Sequence, residues 1–325
     1  MLQILIAFVN KRAVRKIDAK KADVPDFFAG YSGENMWASE HEFETRQYMV
    51  SSDFEFFHNK NETLLDVPYH NHDFYEIYLF LSGEVTYIIE GKSYQLRSGD
   101  IILINNKELH KPSIKLGIPY ERIVIWVNPN FIKNLSILGE NLSMCFESTS
   151  KNRYNLLRPN PEILAYINEI IGRIEYVCSR LSYGSTILKN IYLTELIVYL
   201  NRAYLNTNIE DIKVDITYNN KINSIVRYIN ENLGGDLSLD RLSTKFYISK
   251  YHLLREFTKF TGYTIHRFIR KKRLILAKSL LNESAQVTEV CMQCGFSDYS
   301  NFLRSFKKEY GVSPKKYSHG SSTTR

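Results

Sequence analysis

Hydrophobic and polar positions change their spacing along this chain. From about Tyr48 to Val127 the apolar residues come in short runs: Phe74–Phe80, Glu84–Glu90, Ser93–Leu96, Ile101–Ile104 and Arg122–Val127, rich in Ile, Val, Tyr and Phe. Gly83, Gly91 and Gly99-Asp100 punctuate them. Short strands between turn residues predict a sandwich or barrel. From Pro161 the spacing turns helical. Ile163, Tyr166, Ile167, Ile170, Ile171 and Ile174 form one stripe. Leu188, Ile191, Tyr192, Glu195, Leu196 and Tyr199 begin another after Ser182-Tyr183-Gly184, which predicts an antiparallel helical hairpin. Thr207–Thr217 is polar and reads as a linker. Beyond it the pattern is all helical; Ile222, Ile225, Val226, Ile229 and Leu233 share a face, and Gly234-Gly235 ends that helix.

These shifts divide the chain into an extension expected to be poorly ordered (1–45), a β-barrel (46–150), a helical hairpin (151–206), a linker (207–217) and an all-α domain (218–318). The fold class expected is α+β. The first apolar stretch, Leu2–Val9, is too short to span a bilayer, and its cations Lys11, Arg12, Arg15 and Lys16 follow it. No cleavage site for a signal peptide is evident, so a cytoplasmic protein without membrane partners is expected.

Charge sharpens the division. From Thr217 onward there are 19 Lys and Arg against 8 Asp and Glu, whereas the preceding 216 residues hold 23 against 27. A basic module joined to a mildly acidic one is the electrostatic footprint of a polyanion binder with a partner domain.

The basic part contains a repeat. Leu254-Arg255-x-Phe257-x-Lys259-x-x-Gly262 returns as Leu303-Arg304-x-Phe306-x-Lys308-x-x-Gly311. Each copy follows a short helix and a tight turn. In the first, Ser238 caps a helix with Leu239, Leu242 and Phe246 inward, Tyr247-Ile248 turns the chain, and Ser249 caps the next helix. In the second, Val287, Val290 and Cys294 match, Gly295-Phe296 is the turn, and Ser297 or Asp298 is the cap. This is the helix-turn-helix layout. With Leu253, Phe257 and Phe260 inward in one copy and Phe302 and Phe306 in the other, the outer faces carry Lys250, Tyr251, Leu254 and Arg255, then Tyr299, Ser300, Leu303, Arg304, Lys307 and Lys308. Arginine suits the paired acceptors of guanine, leucine a thymine methyl, and lysine a phosphate. Those residues are the expected contacts to double-stranded DNA.

The stretch Val287–Tyr317, with Gly295-Phe296-Ser297-Asp298, Phe302, Arg304, Phe306-Lys307-Lys308 and Gly311-Val312-Ser313-Pro314, resembles the signature of AraC/XylS-type regulators. Thr261-Gly262 and a long helix from Ile265 to Leu281 match that family's linker helix. The resemblance covers about 100 residues. It implies a sequence-specific transcription regulator, an activator, with two units in successive major grooves, a hairpin that forms a homodimer, and no enzymatic activity. Two departures stand out: Tyr247 at a turn position where glycine is commoner, and Gln286 in place of a better cap. Cys291 and Cys294 form a CxxC but stand where that family has small core residues.

In the N-terminal part, His70-x-His72-x-x-x-Glu76, then Gly83, Gly99-Asp100 and His110, resemble the two motifs of cupin barrels. Histidines two apart on a strand point to one face, and with Glu76 and His110 they could hold an octahedral Fe, Mn or Ni ion. The resemblance therefore admits an alternative, a metal-dependent cupin oxygenase or isomerase fused to a DNA-binding domain. The reading adopted is a small polar effector, sugar-like, held by His70, His72, Glu76, Tyr78, His110 and Trp126, with no cofactor and no resident metal. Tyr69, Phe74, Tyr75 and Tyr87 would supply further aromatic wall.

Overall fold

The computed structural model describes residues 47–61, 67–136, 139–147, 154–180, 182–283 and 285–320. The extension expected over 1–45 lies outside them. Among the described residues no helix is long and apolar enough to cross a membrane.

The N-terminal part is two antiparallel sheets. One has five strands in the order β1 (Phe54–Asn61), β7 (Tyr120–Val127), β2 (Tyr75–Ser82), β5 (Ile101–Ile104) and β8 (Leu156–Leu157). The other runs β6 (His110–Ile114), β3 (Val85–Ile89), β4 (Lys92–Gln95) and β9 (Ile216–Thr217). A bridge between His70 and His110 ties the entry of β2 to β6. β6 has little apolar pattern, and Pro112 interrupts it. It survives because it is an edge strand, where a missing N–H breaks no second ladder.

β2 is covered on both faces. Tyr75, Ile77 and Leu79 join a core built with α3 (Pro161–Cys178) and α4 (Ser185–Asn206), while Glu76, Tyr78 and Phe80 turn between the sheets. Asn160 caps α3 by accepting from Ile163 N at 2.9 Å. Ile167, Ile170, Ile171 and Ile174 of α3, with Leu193, Leu196, Ile197 and Leu200 of α4, are all buried in that core. Most of the apolar stripe expected to meet a second copy of the chain therefore meets the five-stranded sheet instead. What the hairpin leaves outward includes Tyr166, Leu188 and Ile191 of the expected stripes, together with Tyr176, Tyr183 and Ile187.

Helices α1 (Pro129–Leu135) and α2 (Met144–Glu147) fill the corner of the same core. The segment expected as a plain linker is structured. It forms α5 (Ile209–Lys213) and then β9, which pairs with Tyr94 and Ser93. Arg158 holds it: its guanidinium donates to Asp100 at 2.7 and 2.8 Å and to Asp215 at 2.8 Å. Those ionic partners raise its already high pKa.

The C-terminal part is all helix: α6 (Asn220–Glu231), α7 (Leu239–Lys245), α8 (Lys250–Thr261), α9 (Ile265–Asn282), α10 (Val287–Gln293), α11 (Tyr299–Tyr310) and α12 (Pro314–Gly320). It has two cores, one around Phe257 and Phe268 and one around Phe302 and Phe306, with α9 contributing to both. Leu109 of the β-domain is buried in the first of these cores. Around it lies a polar clasp. Glu90 accepts from Asn230 Nδ2 at 2.8 Å and from Lys272 Nζ, and Lys272 also donates to Lys107 O at 2.7 Å. Lys278 pairs with Asp73. Tyr263 Oη donates to Tyr69 O at 3.2 Å. Gly262 lets this happen: a Cβ there would lie 2.2 Å from the Tyr69 ring.

Lys272 is only 5% exposed. Removing one partner of a largely buried ion pair strands the other. Lys272→Ala is expected to lower stability by roughly 3 kcal/mol in urea unfolding. Lys272→Met combined with Glu90→Gln should recover most of that loss.

Candidate nucleic-acid interface and buried histidine cluster

The two helix-turn-helix units are built alike. In the first, Ser238 caps α7 and Ser249 caps α8, each accepting a main-chain N–H at 3.3 Å. In the second, Gln286 makes no side-chain cap bond, and the cap of α11 is Asp298. Gly262 and Gly311 close α8 and α11 in the left-handed conformation. Leu253 and Phe257 face inward in one unit and Phe302 and Phe306 in the other, all fully buried.

The opposite faces are open. Lys250, Tyr251, Leu254 and Arg255 are exposed on α8, as are Tyr299, Ser300, Arg304, Lys307 and Lys308 on α11. Leu303 departs from the expected set, being half-buried against the second core. Arg255 lies 3.2 Å from Glu256 and 3.4 Å from His252 on its own helix, and Lys250 pairs with Asp240. Exposed pairs of this kind hold little energy, so they orient these side chains without removing them from the surface. Lys271 of α9 pairs with Glu309 of α11 at 3.0 Å and ties the long helix to the second unit. Cys291 and Cys294 are buried, and burial pushes the Cys294 thiol up to about 12. They fill the second core as protonated thiols.

Between the sheets the expected ligand residues do come together. His72, Glu76, Tyr78, His110 and Trp126 are buried, and His70 is half-buried. Glu76 accepts from Tyr87 Oη at 3.0 Å and from Trp126 Nε1 at 3.2 Å. His72 stacks on Phe74, and Phe74 on Trp126. Tyr78 shares a hydrogen bond with Tyr120 and meets the Tyr87 ring edge-on. Two of the expected wall residues lie elsewhere. Tyr75 stacks on Phe146 in the hairpin core, because it alternates with Glu76, and Tyr69 packs against Tyr263. Sequence reasoning passed over Tyr120, whose hydroxyl closes this interior. Two surface cavities, of about 560 and 440 Å³, lie away from the cluster, one beside Arg158 and one beside Arg273.

The three imidazoles share one arrangement. Nδ1 of His70, His72 and His110 lies 2.9, 2.9 and 3.0 Å from the carbonyls of Pro68, Phe74 and Glu108. A carbonyl only accepts, so each ring donates from Nδ1 and turns Nε2 toward the interior. Burial and mutual repulsion hold His110 well below the usual histidine range, and burial lowers His70. Burial alone would raise the Glu76 carboxyl, but the neighbouring histidines outweigh it and hold it near 2. One ring nitrogen of each histidine lies within 4.8 Å of the other two. His72 Nε2 is 3.2 Å from Glu76 Oε2 without hydrogen-bond geometry, and neither it nor His110 Nε2 has a hydrogen-bond partner. A buried polar atom left that way costs about 1–3 kcal/mol.

Two family models match the chain: an AraC-like ligand binding domain over residues 55–197 and a helix-turn-helix domain over 242–320. The HTH-type transcriptional activator RhaS of Escherichia coli is 23% identical over 256 residues, 78% of this chain and 88% of RhaS. Among solved structures, ToxT from Vibrio cholerae is 18% identical, covering 82% of this chain and 98% of ToxT, with a TM-score of 0.34. The C-terminal domain of the response regulator yesN from Fusobacterium nucleatum is 31% identical, covering 31% of this chain and 99% of that domain, with a TM-score of 0.30.

The turns of the two units differ at one point. Tyr247 has φ +48°, where Gly295 of the second unit has φ +75°. A side chain costs about 1 kcal/mol there, and Tyr247 is 92% exposed, so its ring recovers little by packing. Tyr247→Gly is expected to raise stability by about 0.5–1 kcal/mol, read as a higher urea midpoint with an unchanged slope.

Proposed function

The chain belongs to the AraC family of DNA-binding transcription regulators, with an N-terminal ligand-binding domain and a C-terminal helix-turn-helix domain, and from that premise we propose that Arg255 and Arg304 each read a base in successive major grooves. The observation that carries this reading is the matched, outward placement of the two arginines on α8 and α11, each helix capped and anchored by two buried inward residues. Lys250, Lys307 and Lys308 are assigned to phosphates, and Tyr251, Leu254, Tyr299, Ser300 and Leu303 to base edges or sugar. With one long helix between the units, the two contacted segments are about 10 base pairs apart. The regulator is read as an activator, as RhaS is named, and the family assigns it regulation rather than catalysis.

The β-domain is read as the effector domain. A small polar ligand, sugar-like in the first reading, would be met by His70, His72, Glu76, Tyr78, His110 and Trp126. Such a ligand changes operator affinity only if it favours one arrangement of the two domains. The clasp of Glu90 with Lys272 and Asn230 is the contact it would bias.

The protein is further read as a homodimer through the outward side of the hairpin. Ile187, Leu188 and Ile191 lie on one face of α4, 67%, 38% and 53% exposed, and Tyr176 and Tyr183 of the same hairpin are exposed as well. Apolar side chains grouped on an exposed helix face support an interaction surface there.

Arg255→Ala and Arg304→Ala are each expected to cost about 1–3 kcal/mol at the operator and to relax preference at one base position. Lys308→Ala should weaken specific and non-specific binding alike and lower the salt slope by about one unit. Titrations against a randomised operator decide; an Arg255→Ala protein with affinity and preference intact would leave the second unit alone as the reader. For the dimer, Ile191→Glu is expected to shift sedimentation from dimer to monomer at micromolar concentration. A wild-type monomer there removes that assignment.

A further inference from the structure

Gly234 does more than follow the end of α6, and Gly295 does more than turn the chain before α11. A Cβ on Gly234 would lie 2.6 Å from Gln293 O, at the end of α10, and a Cβ on Gly295 would lie 2.6 Å from Leu233 O. The connection before α7 and the turn before α11 therefore meet main chain to main chain, at a spacing that any side chain would force open. Arg273 of α9 stands at the same place. Its Nε donates to Leu233 O at 2.9 Å and its Nη2 to Gly235 O at 2.8 Å. That Nη2 would also lie 2.8 Å from a Cβ on Gly295. One guanidinium thus holds the connection before α7 and abuts the turn before α11.

We propose that Arg273 is a positioning residue for DNA reading: it fixes the separation and rotation between α8 and α11, and thereby the operator spacing that the protein accepts. The proposal rests on the reading of Arg255 and Arg304 above. The long helix does not do this alone. α9 gives Phe268 and Ile269 to one core and Leu274, Ala277 and Leu281 to the other. Each unit is held to it along one side, and a unit held that way can slide or rock on its packing. The contact at Gly234 and Gly295 is a second connection between the units, and two connections make one body. Main-chain atoms already touching resist closer approach. The charge-assisted bonds from Arg273 resist separation. One base pair added between the two contacted segments moves the second by about 3.4 Å and turns it by about 34°. A hinged pair of units follows such a change; a locked pair does not.

A plainer role for Arg273 is to satisfy carbonyls just beyond the C-terminal end of α6, where a cation is favoured. Loss of that role lowers stability and leaves the spacing preference as it was. Spacing is therefore the quantity that separates the two.

The test titrates the full chain against the operator selected from the randomised library, and against the same duplex with one base pair added or removed between the two contacted segments. The wild type is expected to lose at least about fivefold in affinity at either altered spacing, the least that one base contact is worth. Arg273→Met keeps an apolar stem and removes the donors, and Gly234→Ala forces the two main chains apart. In both, the loss should fall below that mark while preference at individual base positions stays. Gly235→Ala is the control. Its Cβ would meet only Asn232 O of its own loop, at 3.4 Å, so it should keep the wild-type profile. Circular dichroism and melting accompany each titration, and Gly234→Ala decides by itself if Arg273→Met does not fold. A wild type indifferent to spacing, variants as exacting as the wild type, or a control that relaxes with them overturns the lock. So does a lowered melting temperature with an unchanged profile. If Arg255→Ala leaves affinity and preference intact, the two-unit reading has failed and the lock with it. If Arg255→Ala is costly and both variants still demand the selected spacing, the lock alone has failed.

Discussion

Because strand β2 is covered on both faces, every side chain from Tyr75 to Phe80 must be satisfied without water. The outer set, Tyr75, Ile77 and Leu79, meets this by packing against the α3–α4 hairpin. The inner set includes Glu76, a buried carboxylate, and an unpaired charge there would be costly. Tyr87, Trp126 and His72 are arranged around it for that reason. The same strand thus fixes where the hairpin lies and how the polar interior is organised.

That interior is continuous with the domain junction. His70 and His110 belong to the cluster, and the residues before them, Tyr69 and Leu109, touch the first helix-turn-helix unit. Glu90, one turn away, is held by Lys272 and Asn230. A regulator of this family needs a path from effector to DNA-reading helices, and packed cores respond to small displacements by switching rather than by yielding gradually. Here one residue at each strand, Tyr69 beside His70 and Leu109 beside His110, separates the cluster from the helical part.

The helix-turn-helix units were largely legible in the sequence. Their caps, turns and inward aromatics are local features, and the repeat showed the same solution twice. The odd residue at the first turn was legible too, since Tyr247 holds the left-handed conformation that Gly295 holds in the second unit. The polar cluster was legible as a set because His70, His72 and Glu76 share one side of a strand entry. Less was legible where distant segments meet. β6 carries a proline and little apolar pattern, and β9 is two residues long, so neither announces itself. Arg158 could not be connected to Asp100 and Asp215 by spacing.

Sequence alone determined the α+β class, the doubled helix-turn-helix unit and the members of the histidine–glutamate cluster, because each depends on period, cap or spacing over a few residues. Tertiary structure decided which apolar stripe of the hairpin is core and which remains outward. A helix can show amphipathicity without showing what it faces. It also decided that residues 207–217 are an edge strand and helix rather than a tether, and that the β-domain grips α6 and α9. Those outcomes depend on contacts between residues more than a hundred positions apart, such as Glu90 with Lys272 and Asp73 with Lys278. No local pattern encodes such pairings; they exist only once two independently patterned surfaces have met.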